Sequence, residues 1–209
     1  MVVDGQTEQW YFRMIARNHP NLGVRVKPEL AVKAPLEKQF LHVQGLIGEG
    51  YDKVFWVVDL DVILKETRQK NESNQRNPTK KPKELTIDEF QRYYSQLKEA
   101  HSSKVEIIVN NPCLEFWLLL HYSIPTDVFS NSGNATDAII SHLPDYEKTR
   151  DYYTKQGNDM YLRLKSMLPR AMENAQSLGD FNITNPEANK SGMPLFFHSA
   201  QFVHIFKKV

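Results

Sequence analysis

The segment Lys53-Val-Phe-Trp-Val-Val-Asp59 is the strongest strand signal in the sequence. Its apolar residues follow one another without interruption between a lysine and an aspartate. An unbroken apolar run of this kind is typical of a strand buried on both faces, as at the centre of a parallel sheet. We therefore predict that this segment is the central strand of the fold.

Strand and helix patterns alternate around this segment. Further strands are predicted at residues 2–3, 22–26 and 105–109, and a capping box, Thr86-Ile-Asp-Glu89, predicts the start of a helix. Alternation of strands with helices indicates a parallel sheet with right-handed crossover connections. The sequence therefore predicts an α/β fold, a parallel sheet flanked by helices.

The chain changes character after about residue 113, where the pattern becomes helical throughout. One long apolar stripe runs from Met160 to Leu178. We expect residues 1–125 to form the α/β part and residues 126–209 to form a mainly helical part packed on the same domain. The apolar segment 195–206 is interpreted either as a last helix on the core or as a docking face for a partner.

Composition excludes several classes of protein. The chain has 209 residues, 26 Lys and Arg against 25 Asp and Glu, and one cysteine, Cys113. A single cysteine excludes an intramolecular disulfide. The longest apolar runs have only about five to seven residues, which is too short to span a bilayer. Since no signal-peptide pattern is visible, we expect a protein of the bacterial cytoplasm that has no membrane partner.

Residues 65–84 carry a local excess of positive charge, with seven Lys or Arg and three Glu. The segment contains no large apolar side chain, so the sequence predicts a mobile basic loop. Such a loop either follows a phosphate backbone or serves solubility. The candidate nucleic-acid contacts are Arg76, Lys80, Lys81 and Lys83.

Acids and amides stand where the predicted strands end. Asp4 follows the first strand with Glu8 one turn later, and Asp59 and Asp61 close the central strand. Because the carboxyl ends of parallel strands meet at one edge of a sheet, these side chains are predicted to gather there. Oxygen ligands at this edge favour Mg²⁺ or Mn²⁺. A single acid at a strand end is more often a helix cap or a solvated residue, so the prediction rests on their combination.

Three stretches of the chain resemble the RloB-like (AbiLii) family of bacterial defence proteins. They are Asp4-Gly-Gln-Thr-Glu8, Val57-Val-Asp-Leu-Asp61 and Asn110-Asn-Pro-Cys-Leu-Glu-Phe-Trp-Leu-Leu-Leu-His121. Asp145-Tyr-Glu-Lys148 and Ala171-Met-Glu-Asn-Ala175 resemble the C-terminal half of the same family. The resemblance implies a Toprim-like Rossmannoid core, the fold shared by topoisomerases, primases and OLD-type nucleases.

The resemblance also implies an activity, a metal-dependent phosphodiester nuclease that acts as the toxic effector of an anti-phage, abortive-infection system. Its metal and catalytic acids would be Asp4, Glu8, Asp59 and Asp61, and its substrate would be RNA, including tRNA, or DNA. At the first of these positions the family usually has glutamate. The shorter Asp4 therefore leaves a second hypothesis open, a catalytically degenerate interaction subunit.

Four more residues are candidates for the site, each with an ordinary structural alternative. Glu115 could reach the metal or only stabilise the start of its helix, and His121 could transfer a proton, contact phosphate or lie in the core. Lys148 could pair with the scissile phosphate or be solvated, and Asn111 could orient a phosphate or cap a helix.

The resemblance implies that an ATPase accompanies the nuclease. The chain has no G-x-x-x-x-G-K-[ST] stretch, so we expect that ATPase to be a separate subunit. Self-association into a homo-oligomer is a further hypothesis. A third and less favoured hypothesis is an α/β phosphotransferase with Asp59 as nucleophile. Such an enzyme needs its D-x-D motif after an early strand, whereas Asp59 follows the third predicted strand.

Overall fold

The sheet has the central strand that the sequence predicts. The computed structural model describes residues 1–25, 34–155 and 157–206. Four strands pair in the order β1 (Val2–Val3), β2 (Val54–Asp59), β3 (Val105–Asn111) and β4 (Lys190–Ser191). The first three are parallel and β4 is antiparallel to β3. The predicted α/β fold class is therefore confirmed.

Helices cover both faces of this sheet. Successive side chains of β2 point to opposite faces, so each face of the strand packs against its own group of helices. Phe55 and Val57 pack with one group of helices, called the first group, and Trp56 and Val58 pack with another, called the second group. The first group contains α1 (Gln6–Asn18), α5 (Leu114–Leu120), α6 (Ser132–Ile140), α7 (Arg150–Thr154), α8 (Met160–Leu164), α9 (Leu168–Ser177), α10 (Pro194–Phe197) and α11 (Val203–Phe206). The second contains α2 (Leu36–Gly48), α3 (Leu60–Arg76) and α4 (Thr86–His101). None of these described helices is long and apolar enough to cross a membrane.

The strand predicted at 22–26 is not formed by the residues that the structure describes there. Pro20–Leu22 is a short 3-10 helix, ended by Gly23 in the left-handed region at φ 62°. Proline fixes the backbone angle that begins such a turn, and the glycine reverses the chain after it. The rest of the predicted strand, from Val26, lies outside the described residues.

The prediction of a loop over residues 65–84 is also wrong for most of its length, because α3 continues to Arg76. Lysine, glutamate and glutamine are good helix formers, and contacts with α4 fix the helix in place. The Thr67 hydroxyl accepts a hydrogen bond from the Ile87 amide at 2.9 Å, and Lys70 pairs with Glu89 at 3.3 Å. The predicted capping box does not form, because Thr86 is already the first residue of α4 and the N-cap position is taken by Leu85, which has no side chain that could cap the helix.

The apolar C-terminal segment 195–206 belongs to the core. Phe196 and Phe197 are fully buried, and Phe202 and Phe206 are 6% and 8% exposed. They pack on Phe55 of β2 and on α1, which leaves little of their surface for another protein. Of the two interpretations of this segment, the burial of these residues supports the last helix on the core. The long stripe predicted from Met160 to Leu178 is divided between α8 and α9 by a 3-10 turn, Lys165–Met167.

Candidate functional site

The carboxyl edge of the parallel strands opens into a cleft of about 550 Å³. Asp4 follows β1, Asp59 ends β2, and the first turns of α1, α3 and α5 begin at this edge. Six of the residues predicted from the sequence line the cleft together: Asp4, Glu8, Asp59, Asp61, Glu115 and Lys148. We refer to it as the acidic cleft.

The Glu8 carboxylate lies directly against the backbone of Gly5. Gly5 precedes the first residue of α1, and a Cβ atom at this position would lie 2.6 Å from Oε2 of Glu8. No such contact is tolerated without displacing the carboxylate, which is itself 3% exposed. The glycine is therefore required by the close approach of Glu8, whereas its own backbone angles are extended.

Burial and mutual repulsion raise the pKa values of three carboxylates of the cleft. Burial, with the negative charge of Asp61 beside it, raises the pKa of Asp4 from 3.8 to about 6. Burial and the Glu115 carboxylate raise the pKa of Glu8 from 4.5 to about 7. The same causes, burial first and then Glu8 and Glu115, raise the pKa of Asp59 well above its ordinary range. A cluster of this kind favours a bound cation at neutral pH.

Two polar atoms at this edge are buried without a hydrogen-bond partner. They are Oδ1 of Asp59 and Nδ2 of Asn110, and the two residues are register partners on β2 and β3. Since a buried polar group is costly unless it is paired, each has an unused capacity to bind a ligand or water. Asp61 differs, because its Oδ2 accepts a hydrogen bond from the Ser132 amide at 2.9 Å.

Lys148 brings a positive charge to the cleft through Glu115. Oε1 of Glu115 forms an ion pair with Lys148 Nζ at 3.0 Å and accepts a hydrogen bond from the Tyr146 hydroxyl at 2.7 Å. Burial lowers the pKa of Lys148, but Glu115, Cys113 and Asp59 together raise it above its ordinary value, so the ammonium remains charged. Glu115 is 2% exposed and is occupied by these donors, whereas the Lys148 side chain is 40% exposed. Glu115 therefore positions the lysine at the mouth of the cleft.

Two predicted site residues lie outside the cleft. His121 is buried, with Nδ1 3.1 Å from the Trp117 carbonyl oxygen, and burial lowers its pKa to about 4. It is a neutral core histidine, which was the ordinary structural alternative for this residue. Asn111 neither caps α5 nor faces the cleft, since its amide donates to the carbonyl oxygens of Pro186 and Ala188 at 2.6 and 2.7 Å. It fastens the segment before β4 to the end of β3.

The remaining basic candidates are Arg76, the last residue of α3, and three lysines in the exposed tip that follows it. Asn74 holds this tip with two hydrogen bonds to the backbone of Lys83, at 2.8 and 2.9 Å. Arg76 pairs with Glu72 at 3.5 Å, while Lys80, Lys81 and Lys83 have no ion pair within the described chain. We refer to these three lysines as the basic tip.

Gln39 is a cleft residue that the analysis of the sequence missed. It is buried on α2 and donates a hydrogen bond to Asp4 at 2.7 Å. The sequence did contain a signal, since Gln39 is a polar residue on a helix face made by Leu36, Phe40 and Val43. A polar residue in such a position needs a partner, and that requirement points to the strand ends.

The family model described as RloB-like protein matches residues 1–196. The chain belongs to the RloB-like family. This match covers all five stretches on which the resemblance rested, together with the acidic cleft. Comparisons with curated proteins and with solved structures give no match.

The donor set of the acidic cleft fits a hard divalent cation that keeps part of its water shell. Within residues 1–25, 34–155 and 157–206, no three His, Cys, Asp or Glu side chains converge to form a complete metal site. Mg²⁺ is commonly held by one or two carboxylates and several waters, so a complete protein cage is not needed. The buried and unpartnered Oδ1 of Asp59, with Asp4 and Glu8 beside it, supplies ligands of this type.

Proposed function

We propose that this protein is a metal-dependent nuclease that hydrolyses phosphodiester bonds in RNA, including tRNA, or in DNA. The observation that carries the proposal is the cluster of the buried Glu8 with the partly buried Asp4 and Asp59, at the edge of an open cleft whose acidic residues outnumber its basic ones. A phosphate ester brought to this cleft needs a cation to offset the repulsion. Membership in the RloB-like family supports a role in anti-phage defence with a separate ATPase partner.

The residues of the cleft divide the chemistry between them. Asp59, with Asp4 or Glu8, would hold Mg²⁺ or Mn²⁺, which neutralises charge on the phosphate and makes bound water more acidic. Lys148 is placed to contact a phosphate oxygen and to stabilise the charge that develops there. A carboxylate whose pKa lies near 7, as for Glu8, suits proton transfer at neutral pH.

A cleavage assay tests this proposal. Purified protein is incubated with DNA, bulk RNA or tRNA in Mg²⁺, Mn²⁺ or EDTA, and Asp59→Asn serves as the inactive control. We expect cleavage of at least one substrate with metal and none with EDTA. The alternative, a catalytically degenerate interaction subunit, is favoured by the incomplete set of converging ligands and by the short Asp4 side chain. Absence of cleavage under every condition would support that alternative.

The stability of the metal-free protein is expected to fall as the pH rises from about 4 to about 7. The pKa values of Asp4 and Glu8 are raised on folding, so the folded state binds protons more tightly than the unfolded state. Stability is then greatest below the unfolded pKa values and is lost as these groups ionise. Thermal unfolding in EDTA across this range measures the effect. Added Mn²⁺ should raise the melting temperature more at about pH 8 than at about pH 5, and a flat profile would contradict the prediction.

Substitution of Gly5 by alanine is expected to lower turnover by about a hundredfold, because the new methyl group displaces the Glu8 carboxylate. Gly45→Ala is a matched control, since a Cβ atom at Gly45 meets nothing within 4 Å. Initial cleavage rates at saturating substrate measure both variants. Equal rates for the two would show that Glu8 is not needed at its present position.

The basic tip is expected to contribute affinity for nucleic acid and not chemistry. Replacing Lys80, Lys81 and Lys83 by glutamine removes three charges, each of which releases about one counterion. The slope of log affinity against log salt should fall in magnitude by about two to three. Binding titrations at several salt concentrations measure the slope, and turnover at saturating substrate should change little. An unchanged slope would assign the tip to solubility alone.

A further inference from the structure

Gln39 is a buried side-chain amide in an otherwise apolar helix face. It is 3% exposed, and the residues around it on α2 are Leu36, Phe40 and Val43. An amide in this environment is costly unless its oxygen and both of its N–H groups are paired. The structure pairs all three, with partners from three other parts of the chain.

The partners fix which way the amide faces. The indole N–H of Trp56 can only donate, so the atom that faces it at 3.0 Å is Oε1 of Gln39. The NH₂ group therefore faces Oδ1 of Asp4 at 2.7 Å and the carbonyl oxygen of Ala34 at 3.0 Å. If the amide were flipped, its NH₂ group would face the indole N–H of Trp56, and its oxygen would face the oxygens of Asp4 and Ala34. Only the orientation with Oε1 towards Trp56 is therefore stable.

Asp4 needs such support because its own strand is short. It follows β1, which has two residues, and lies at the turn into α1. The amide of Asp59 also hydrogen-bonds the Asp4 carboxylate, so two donors from different elements set the plane of that carboxylate. We propose that Gln39 is a positioning residue, which, if the proposed function holds, orients Asp4 for the metal ion and ties it through Trp56 to the centre of the sheet.

Metal affinity provides the first test. The Gln39→Leu variant is compared with wild type and with Gln44→Leu, which makes the same change on the same helix away from Asp4. Loss of an outer hydrogen bond to a metal ligand lowers affinity by roughly 10- to 100-fold. We expect a reduction of this size in Mn²⁺ affinity by calorimetry for Gln39→Leu and none for Gln44→Leu. When Asp4 is already replaced by alanine, Gln39→Leu should cause no further loss of Mn²⁺ affinity.

A second measurement needs neither metal nor activity. The indole N–H resonance of Trp56 reports its hydrogen bond to Gln39, and it is recorded in the metal-free protein. We expect Asp4→Ala to move this resonance, because the Gln39 amide loses a partner, and Gln44→Leu to leave it in place. This arm does not require Gln39→Leu to fold.

The outcomes separate this proposal from the proposed function. A Trp56 resonance that Asp4→Ala leaves unmoved, or wild-type Mn²⁺ affinity in folded Gln39→Leu, overturns the positioning role. A moved resonance in a protein that cleaves no nucleic acid supports the Asp4–Gln39–Trp56 connection and counts against the nuclease. Where cleavage is present, Gln39→Leu should lower kcat at saturating substrate, with a smaller change in KM when metal is saturating.

Discussion

We expect the Asp59→Asn variant to lose at least about a thousandfold in nuclease turnover while it folds like the wild type. A metal ion at a reacting phosphate contributes several kcal/mol to the stabilisation of the transition state, and about 4 kcal/mol corresponds to a thousandfold in rate. Asp59 carries the unpartnered carboxylate oxygen at the centre of the cleft, so an amide there removes the strongest candidate ligand. Single-turnover cleavage with Mn²⁺ measures the loss.

The fold should survive because the substitution replaces a carboxyl group, whose ionised form is disfavoured by burial, Glu8 and Glu115, with a neutral amide of the same size. In EDTA near neutral pH we expect the melting temperature of Asp59→Asn to equal or exceed that of the wild type. Asp52→Asn is the matched control, since Asp52 is exposed just before the other end of β2. Activity retained in Asp59→Asn, or lost equally in Asp52→Asn, would remove Asp59 from the site.

The arrangement of the cleft could be predicted from the sequence because one geometric rule governs it. Once 53–59 is recognised as the central parallel strand, Asp4 and Asp59 must lie at the same edge of the sheet. Glu8 and Glu115 follow, since each stands in the first turn of a helix that begins at that edge. No knowledge of distant contacts is needed for these four residues.

The parts that could not be predicted depend on contacts between residues far apart in the sequence. α3 looks like a loop because it has few apolar residues, and its stability comes from bonds such as Thr67 to Ile87 that only the folded chain reveals. Asn111 could not be assigned for the same reason, as its partners lie more than seventy residues away at 186 and 188. The pairing of Lys148 with Glu115 likewise requires the tertiary structure.

The second large effect is expected at Phe197, where alanine should lower the free energy of unfolding by roughly 3–5 kcal/mol. Phe197 is fully buried, and its ring lies 5.7 Å from that of Trp117 and 4.9 Å from that of Phe206. For a chain of this length the melting temperature should fall by roughly 10 °C. Leu195→Ala is the control, because Leu195 is 42% exposed and surface substitutions rarely exceed about 0.5 kcal/mol. If Phe197→Ala melted like the wild type and instead lost a protein partner, the C-terminal segment would be a docking face; its burial against β2 and α5 leads us to expect the opposite.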